Sequence, residues 1–390
     1  MQAHERSPYL DCAQVHHESD FKYERYCTLV GNVTPAAADD ISSDDAIKVA
    51  HKNQIGMVLF GLGRAGMIHL SNLLANPRVS LLYVVEMERA RYDSVRARWG
   101  DRTPALVLPQ DSATALADPR VDAVVVATPT FTHFEVIQQA LDAGKMVFSE
   151  KPIAENAEQS RLCYETAAKL GLTVFCAFNR RFDPAFQAIQ QAARRGDVGK
   201  VHTIKTVARD SPLPPIAYLK ISGGIFHDCA VHDIDLICWV LGEFPRRALA
   251  SASAHIAEIA AIGDHDTVAI VLEFDSGTIG TIDISRNAVY GYDQRLEVFG
   301  PKGLLTAENE RPVNVRHQTS SGDTAVPFYF SFPSRYSEGY VLELEAFLDH
   351  VQGKIPLPIL PEDSLRVSKI ASACEESLRT GAFVTIDYAQ

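Results

Sequence analysis

No two of the seven cysteines in this 390-residue chain are spaced as C-x-x-C, and none falls into a zinc-like pattern. Scattered and odd in number (Cys12, Cys27, Cys163, Cys176, Cys229, Cys238, Cys374), they read as reduced thiols, and a cytoplasmic location is expected. No apolar run approaches the ~20 residues of a membrane-spanning helix. There is no signal-peptide core near Met1, and the early acids argue against a mitochondrial presequence. Positive charge is also scarce. The 37 Lys and Arg are outnumbered by 49 Asp and Glu, giving a net charge of −12, so neither nucleic acid nor an anionic membrane is an expected partner. Repeats and low-complexity tracts are missing, and no metal site is expected.

What remains is a soluble composition, 46% hydrophobic and 22% charged, long enough for two domains. Residues 1–53 show little periodicity and read as an N-terminal extension, with partial order expected around Tyr23–Leu29. His16-His17 there reads as a solvated pair. Residues 54–178 alternate strand-like and helix-like segments, the pattern of a doubly wound parallel sheet. Residues 179–390 carry strand-like pieces at Thr267–Phe274, Thr278–Ile284, Leu296–Phe299 and Leu304–Thr306, with a hairpin signal at Asp275-Ser276-Gly277. A second α+β domain with a large, open, mostly antiparallel sheet is expected, and its closing helices, Tyr340–Val351 and Asp363–Leu378, are placed to fold back on the first.

The chain is organised around Gln54–Leu70, QIGMVLFGLGRAGMIHL. A short buried strand there runs into Gly61-Leu62-Gly63-Arg64-Ala65-Gly66, a G-x-G-x-x-G turn that opens a helix. Gly61 permits the tight turn, Gly63 lets backbone approach a pyrophosphate, and Gly66 lets helix pack close to strand. The helix N-terminus offers free N–H groups to the phosphates. A second apolar run ends at Glu86, where such a unit places the carboxylate that holds the ribose hydroxyls. That carboxylate repels a 2′-phosphate, so NAD is expected over NADP, with Arg89 and Arg91 close enough to soften the preference. Open sheets bind ligands beyond the carboxyl ends of their strands, so Thr128, Pro129, His133, Glu150 and Lys151 share the rim with the glycine turn.

Ser222–Trp239 (SGGIFHDCAVHDIDLICW) holds Asp228, His232 and Asp235 at spacings of four and three, expected on one helical face. The segment is too apolar for a surface helix, so these groups need partners or a task. Oxidising an alcohol by hydride transfer requires a base of near-neutral pKa and a donor for the developing alkoxide. His232 suits the base, Asp228 its orientation, and Lys151 the alkoxide.

Taken together, the glycine turn, Thr128-Pro129, Glu150-Lys151-Pro152, Asn179-Arg180-Arg181-Phe182-Asp183 and the G-G…D-x-x-x-H-x-x-D segment resemble the glucose–fructose oxidoreductase / inositol dehydrogenase / rhizopine catabolism (Gfo/Idh/MocA) family across Ile55–Ala389. The likeness implies a Rossmann domain followed by an open-sheet domain that serves as a homodimer or homotetramer interface. It also implies that Lys151 touches nicotinamide ribose and substrate, that His232 is the acid/base beside Asp228, and that Asp235 contacts substrate. Phe178–Asp183 and Arg209-Asp210-Ser211-Pro212 extend the likeness to the inositol 2-dehydrogenases, adding Arg180 and Asp210 to the substrate residues. The implied reaction is NAD-dependent oxidation of a ring hydroxyl of a cyclic polyol. Another sugar or cyclitol, with NAD or NADP, and a non-catalytic dinucleotide sensor are the alternatives. Residues 1–53 and His227 depart from the family pattern.

Overall fold

A computed structural model describes residues 53–389. The expectations for the N-terminal extension, His16-His17 and Tyr23–Leu29 included, lie outside the described residues apart from Asn53.

The first sheet is built from runs rich in Val, Leu, Ile and Ala. Strand β1 (Ile55–Phe60) is buried at every position, as a strand covered on both faces must be. Helix α1 (Arg64–Ala75) leads to β2 (Val79–Val85), then α2 (Arg89–Trp99), β3 (Ala105–Val107) and α3 (Ser112–Leu116). Next come β4 (Ala123–Val126), α4 (His133–Asp142), β5 (Met146–Glu150), α5 (Ala157–Leu170) and β6 (Val174–Ala177). All pairings are parallel, in the order β3-β2-β1-β4-β5-β6. The winding reverses between β1 and β4, which opens a crevice at their carboxyl ends.

The second half begins with α6 (Pro184–Arg195), β7 (Thr203–Arg209), the short α7 (Ile216–Leu219) and α8 (Val231–Leu241). Strands β8 (Arg247–Ser253), β9 (Thr267–Glu273) and β10 (Ile279–Ser285) follow, with the short α9 (Ala257–Ala260) after β8. The rest is β11 (Asp293–Gly300), β12 (Gly303–Ala307), the hairpin β13 (Arg316–Thr319) and β14 (Gly322–Ala325), α10 (Phe332–Arg335), α11 (Ser337–Val351), α12 (Pro361–Thr380) and β15 (Val384–Thr385). The large sheet runs β12-β11-β7-β10-β9-β8-β15, antiparallel except for the β7–β10 pair. Burial alternates along β10, with Gly280, Ile282 and Ile284 inward. One face is thus covered by helices and the other left open.

Helix α12 packs on β8 and also reaches α5 and β6, while α11 packs on α1. These helices fix one sheet against the other. Strand β8, RALASAS, gives no strand signal in sequence because its small residues have weak strand propensity; pairing with β9 and β15 makes the strand. Among the described residues no helix is long and apolar enough to cross a membrane.

Candidate active site

The glycine turn follows directly on β1. Gly61 has φ +91°, and a Cβ there would lie 2.6 Å from Ala127 O. A Cβ on Gly66 would lie 2.1 Å from Gly61 O, so only glycine lets α1 pack this closely. A Cβ on Gly63 would meet nothing within 4 Å. That open space sits over the first turn of α1, where Arg64 and Ala65 begin the helix, and it suits the approach of a dinucleotide pyrophosphate. Glu86 is buried beside it. Its Oε2 accepts the Leu62 N–H at 2.7 Å and its Oε1 accepts the Glu88 N–H at 2.8 Å. The carboxylate therefore shapes the turn.

Thr128 and Pro129 follow β4, and Thr132 Oγ1 donates to Thr128 Oγ1 at 2.7 Å. His133 departs from the expectation of a cofactor contact. It is buried with Nδ1 2.8 Å from Pro152 O and Nε2 2.9 Å from Thr128 O, so both ring nitrogens face backbone carbonyls, to one of which the ring N–H donates. The ring braces the β4 rim against the Glu150-Lys151-Pro152 segment. Glu150 turns its Oε1 to His69 Nε2, 2.8 Å away on α1. Burial raises the Glu150 carboxyl, but the His69 bond and the charges of His69, Lys151 and His133 outweigh it and hold the group below its ordinary pKa.

Lys151 crosses from the first sheet to the second half. Its Nζ donates to Asp228 O at 2.6 Å and lies 3.3 Å from Asp228 Oδ1. Asp228 sits in a single π-helical turn, Phe226–Ala230, that leads into α8. Gly223 and Gly224, at φ +85° and +82°, let the chain enter this turn, and Asp264 Oδ1 accepts the Ile225 N–H at 3.0 Å. Around Asp228, the Tyr218 hydroxyl donates to Oδ1 at 2.8 Å and Arg286 Nη1 to Oδ2 at 3.0 Å. Burial raises the Asp228 carboxyl, and the charges of Lys151 and Arg286 with these bonds overcome it and hold the group below its usual range. Asp228 is thus a fixed anion between two cations.

His232 lies one turn further on, edge-on to Phe178 with ring centroids 6.3 Å apart. Its Nδ1 is buried and has no hydrogen-bond partner among the described residues. Burial first, then the positive charges of Lys151 and Arg180, push its pKa well below that of a free imidazole. It is a neutral base across the physiological range. Arg180 is buried against Asp233, with Nη1 3.0 Å from Oδ1. Asp210, at the end of β7, is pushed up to about 6 by burial and by the neighbouring Asp228 charge. Lys151, Asp228, His232, Arg180 and Asp210 thus lie within electrostatic reach of one another.

Asp235 is not part of it. Its carboxylate is engaged by the Arg181 guanidinium, Nε to Oδ2 at 2.9 Å and Nη2 to Oδ1 at 2.6 Å, while Arg181 also reaches Asp363. The π-helical turn Phe226–Ala230, with its i→i+5 bonding, breaks the regular helical register that Asp228 and Asp235 are expected to share. A carboxylate buried this completely requires an ionic partner, and Arg181 supplies it. His227 also points elsewhere, with Nε2 3.5 Å from the exposed Glu375 on α12.

Residues 55–178 match the oxidoreductase family with an NAD-binding Rossmann fold, and residues 186–306 match the GFO/IDH/MocA C-terminal domain. The inositol 2-dehydrogenase of Rhizobium meliloti is 37% identical over 82% of this chain and 96% of its own. The chain belongs to the Gfo/Idh/MocA family. The myo-inositol 2-dehydrogenase of Thermotoga maritima, another Gfo/Idh/MocA-like relative, is 36% identical over 86% of this chain and 98% of its own. The scyllo-inositol dehydrogenase of Lactobacillus casei, solved with bound NAD(H) and scyllo-inositol, superposes with a TM-score of 0.78 at 26% identity, covering 86% of this chain and 100% of that one.

Three residues of this Gfo/Idh/MocA site carry no sequence signal. Arg286 lies just after β10 in an ordinary Ser-Arg-Asn, yet is fully buried, bridging Asp228 and, through Nη2 at 3.0 Å, Asp264 Oδ2. Asp264 sits in a loop, and Tyr218 in a stretch whose only sequence cue is two prolines before it.

Proposed function

We propose that this chain oxidises a secondary ring hydroxyl of an inositol, or of a similar cyclic polyol, to the ketone with NAD. The observation that carries the reading is the His232 imidazole, its Nδ1 buried and unpartnered among the described residues, in the domain half that the Lys151–Asp228 pair joins to the glycine-turn sheet. The turn, Glu86 and the β4 rim fit a dinucleotide, whose chemistry when bound is acceptance of a hydride from the carbinol carbon.

His232, its pKa pushed below the near-neutral value expected of the base from sequence, is unprotonated and takes the hydroxyl proton as the carbonyl forms. The Lys151 ammonium, held in place by Asp228, faces the negative charge that builds on the oxygen. Because Asp228 stays ionised between Lys151 and Arg286, it orients and neutralises rather than accepting the proton. Arg180 and Asp210 serve as donor and acceptor for the remaining ring hydroxyls. The direct test follows absorbance of NADH with NAD or NADP against a panel of inositols and aldoses. Turnover of an inositol with NAD supports the reading, and turnover confined to aldoses replaces the substrate.

Asp210 sets a pH dependence. Ionised, it accepts a hydrogen bond from a polyol hydroxyl; with its pKa near 6, that form is lost as pH falls through about 6. KM for the polyol is therefore expected to rise below that pH in the wild type, while Asp210→Asn, weaker throughout, shows no such inflection. An inflection retained in the variant would remove Asp210 from this role. His232, titrating well below 6.5, is not the source of it.

Glu86→Ala is expected to weaken NAD by about tenfold, the scale of a lost hydrogen bond to a charged group, and to leave NADP nearly unaffected. An unchanged NAD-to-NADP ratio of binding constants would show that Glu86 serves the turn alone.

We also propose that the chain works as a homodimer or homotetramer joined through the open sheet face, which presents Ile279, Phe299 and Leu304 to solvent. Light scattering should then give a multiple of 42.8 kDa, and a single-chain mass would rule the assembly out.

A further inference from the structure

The first turn of α1 carries a cation that the reaction above does not use. Arg64, next to Gly63, makes no ion pair among the described residues. Its guanidinium instead lies between two rings from the second half, with Cζ 5.0 Å from the Tyr218 centroid and 5.5 Å from that of Phe332. A guanidinium held by π faces keeps its edge N–H donors for an anion. Arg64 is itself the first residue of α1, directly after Gly63, over which a Cβ would meet nothing within 4 Å.

Tyr218 has a second contact at its other end. Its hydroxyl donates to Asp228 Oδ1 at 2.8 Å, the same oxygen that lies 3.3 Å from Lys151 Nζ. Asp228 Oδ2 is fixed by Arg286 from the fully buried side. Of the two carboxylate oxygens, Oδ1 is thus the one facing the reactive lysine, and Tyr218 decides how it is held. The ring is about one-third exposed, with Arg64 on its face and Asp228 on its hydroxyl.

We propose that Tyr218 is a positioning residue that links occupancy of the dinucleotide turn to the orientation of the Asp228 carboxylate, with Arg64 sensing the bound pyrophosphate. Phosphate oxygens on the guanidinium edge fix Arg64, the fixed cation holds the Tyr218 ring, and the ring keeps its hydroxyl on Oδ1. The bound cofactor thereby adds a restraint to the Tyr218–Asp228–Lys151 contacts that the structure already holds. Tyrosine alone meets both demands, since phenylalanine keeps the π face and loses the donor. The link is reciprocal: a polyol that orders Asp228 also tightens the dinucleotide by the same factor. The proposal rests on the NAD-dependent reading of this site, and its test does not require turnover.

The full chain would be prepared with tyrosine labelled at Cζ with ¹³C, and Tyr218→Phe would identify the Tyr218 resonance. That resonance should shift when NAD is added to saturation, and should stay in place in Arg64→Gln at saturating NAD. A resonance unmoved in the wild type, or moved equally in Arg64→Gln, overturns the link. Without polyol, Tyr218→Phe should bind NAD within twofold of the wild type; with polyol it should lose about tenfold in kcat, the scale of one hydrogen bond to a charged group. NADH titrations with and without polyol should show a coupling factor that falls to near unity in Tyr218→Phe. An undiminished kcat and coupling factor in that variant refute the positioning role. Absence of turnover with every polyol counts against the substrate reading alone, because the resonance still decides the link.

Discussion

His232→Gln should lower kcat by about 10²–10⁴-fold, the range that a placed general base supplies, while NAD binds as in the wild type. Glutamine retains a polar group in the same space, so packing against Phe178 is largely kept and the loss reports the proton transfer. The native imidazole is neutral because burial and the charges of Lys151 and Arg180 disfavour its cation. Activity of the wild type should therefore show no His-type limb near pH 6.5. Lys151→Ala should cost about 10²–10³-fold, the scale of a lost oxyanion donor, because the alkoxide loses its cation. Stopped-flow reduction of NAD under single turnover separates the chemical step from binding, and calorimetry gives NAD affinity independently. Either variant retaining wild-type kcat would remove that residue from the mechanism.

The largest structural effect is expected at Arg286. Its guanidinium is fully buried and forks between Asp228 and Asp264, with Nη atoms 3.0 Å from each carboxylate. Arg286→Leu would leave both acids beside an apolar side chain. Breaking a buried ion pair from one end costs about 3–5 kcal/mol, because the remaining charge stays desolvated. For domains of this size that is a fall in Tm on the order of 10 °C. The pH dependence has a definite sign. Asp228 has a depressed pKa in the folded protein, so its stabilisation is present above the ordinary carboxylate pKa and lost as pH falls through the folded value. Without Arg286 the folded pKa rises, and the gap in Tm between variant and wild type should narrow on acidification. Arg286→Lys restores one charge without the two-way fork and should recover part of the loss. Equal Tm for Arg286→Leu and wild type would mean that Asp228 needs no such support.

Much of this was legible in the sequence because it depends on local order. A strand ending in Gly61, a helix opening at Arg64 and a carboxylate at Glu86 define a phosphate-binding turn whatever surrounds them. Glu150-Lys151-Pro152 and Asp228…His232 are short motifs whose chemistry is carried by residue type. The misassignments came where tertiary partners decide. Asp235 and Asp228 share a helical face only while the helix is regular, and one π-helical turn separates them. His133 lies on the expected rim but is turned inward by two carbonyls from different loops. Arg286 and Tyr218 were invisible because their partners are 58 and 10 residues away with no fixed spacing. Strand β8 was hidden for a related reason, since its small residues become a strand only beside β9.

The contact between Lys151 Nζ and the Asp228 carbonyl oxygen, 2.6 Å long, joins two segments encoded far apart. Neither carries the pair by itself: one brings the ammonium of Lys151, the other the carboxylate of Asp228. A gene fragment specifying either half is chemically mute. Chimeras between relatives can exchange the open-sheet half, and with it the polyol pocket, provided that the incoming π-helical turn meets the same lysine.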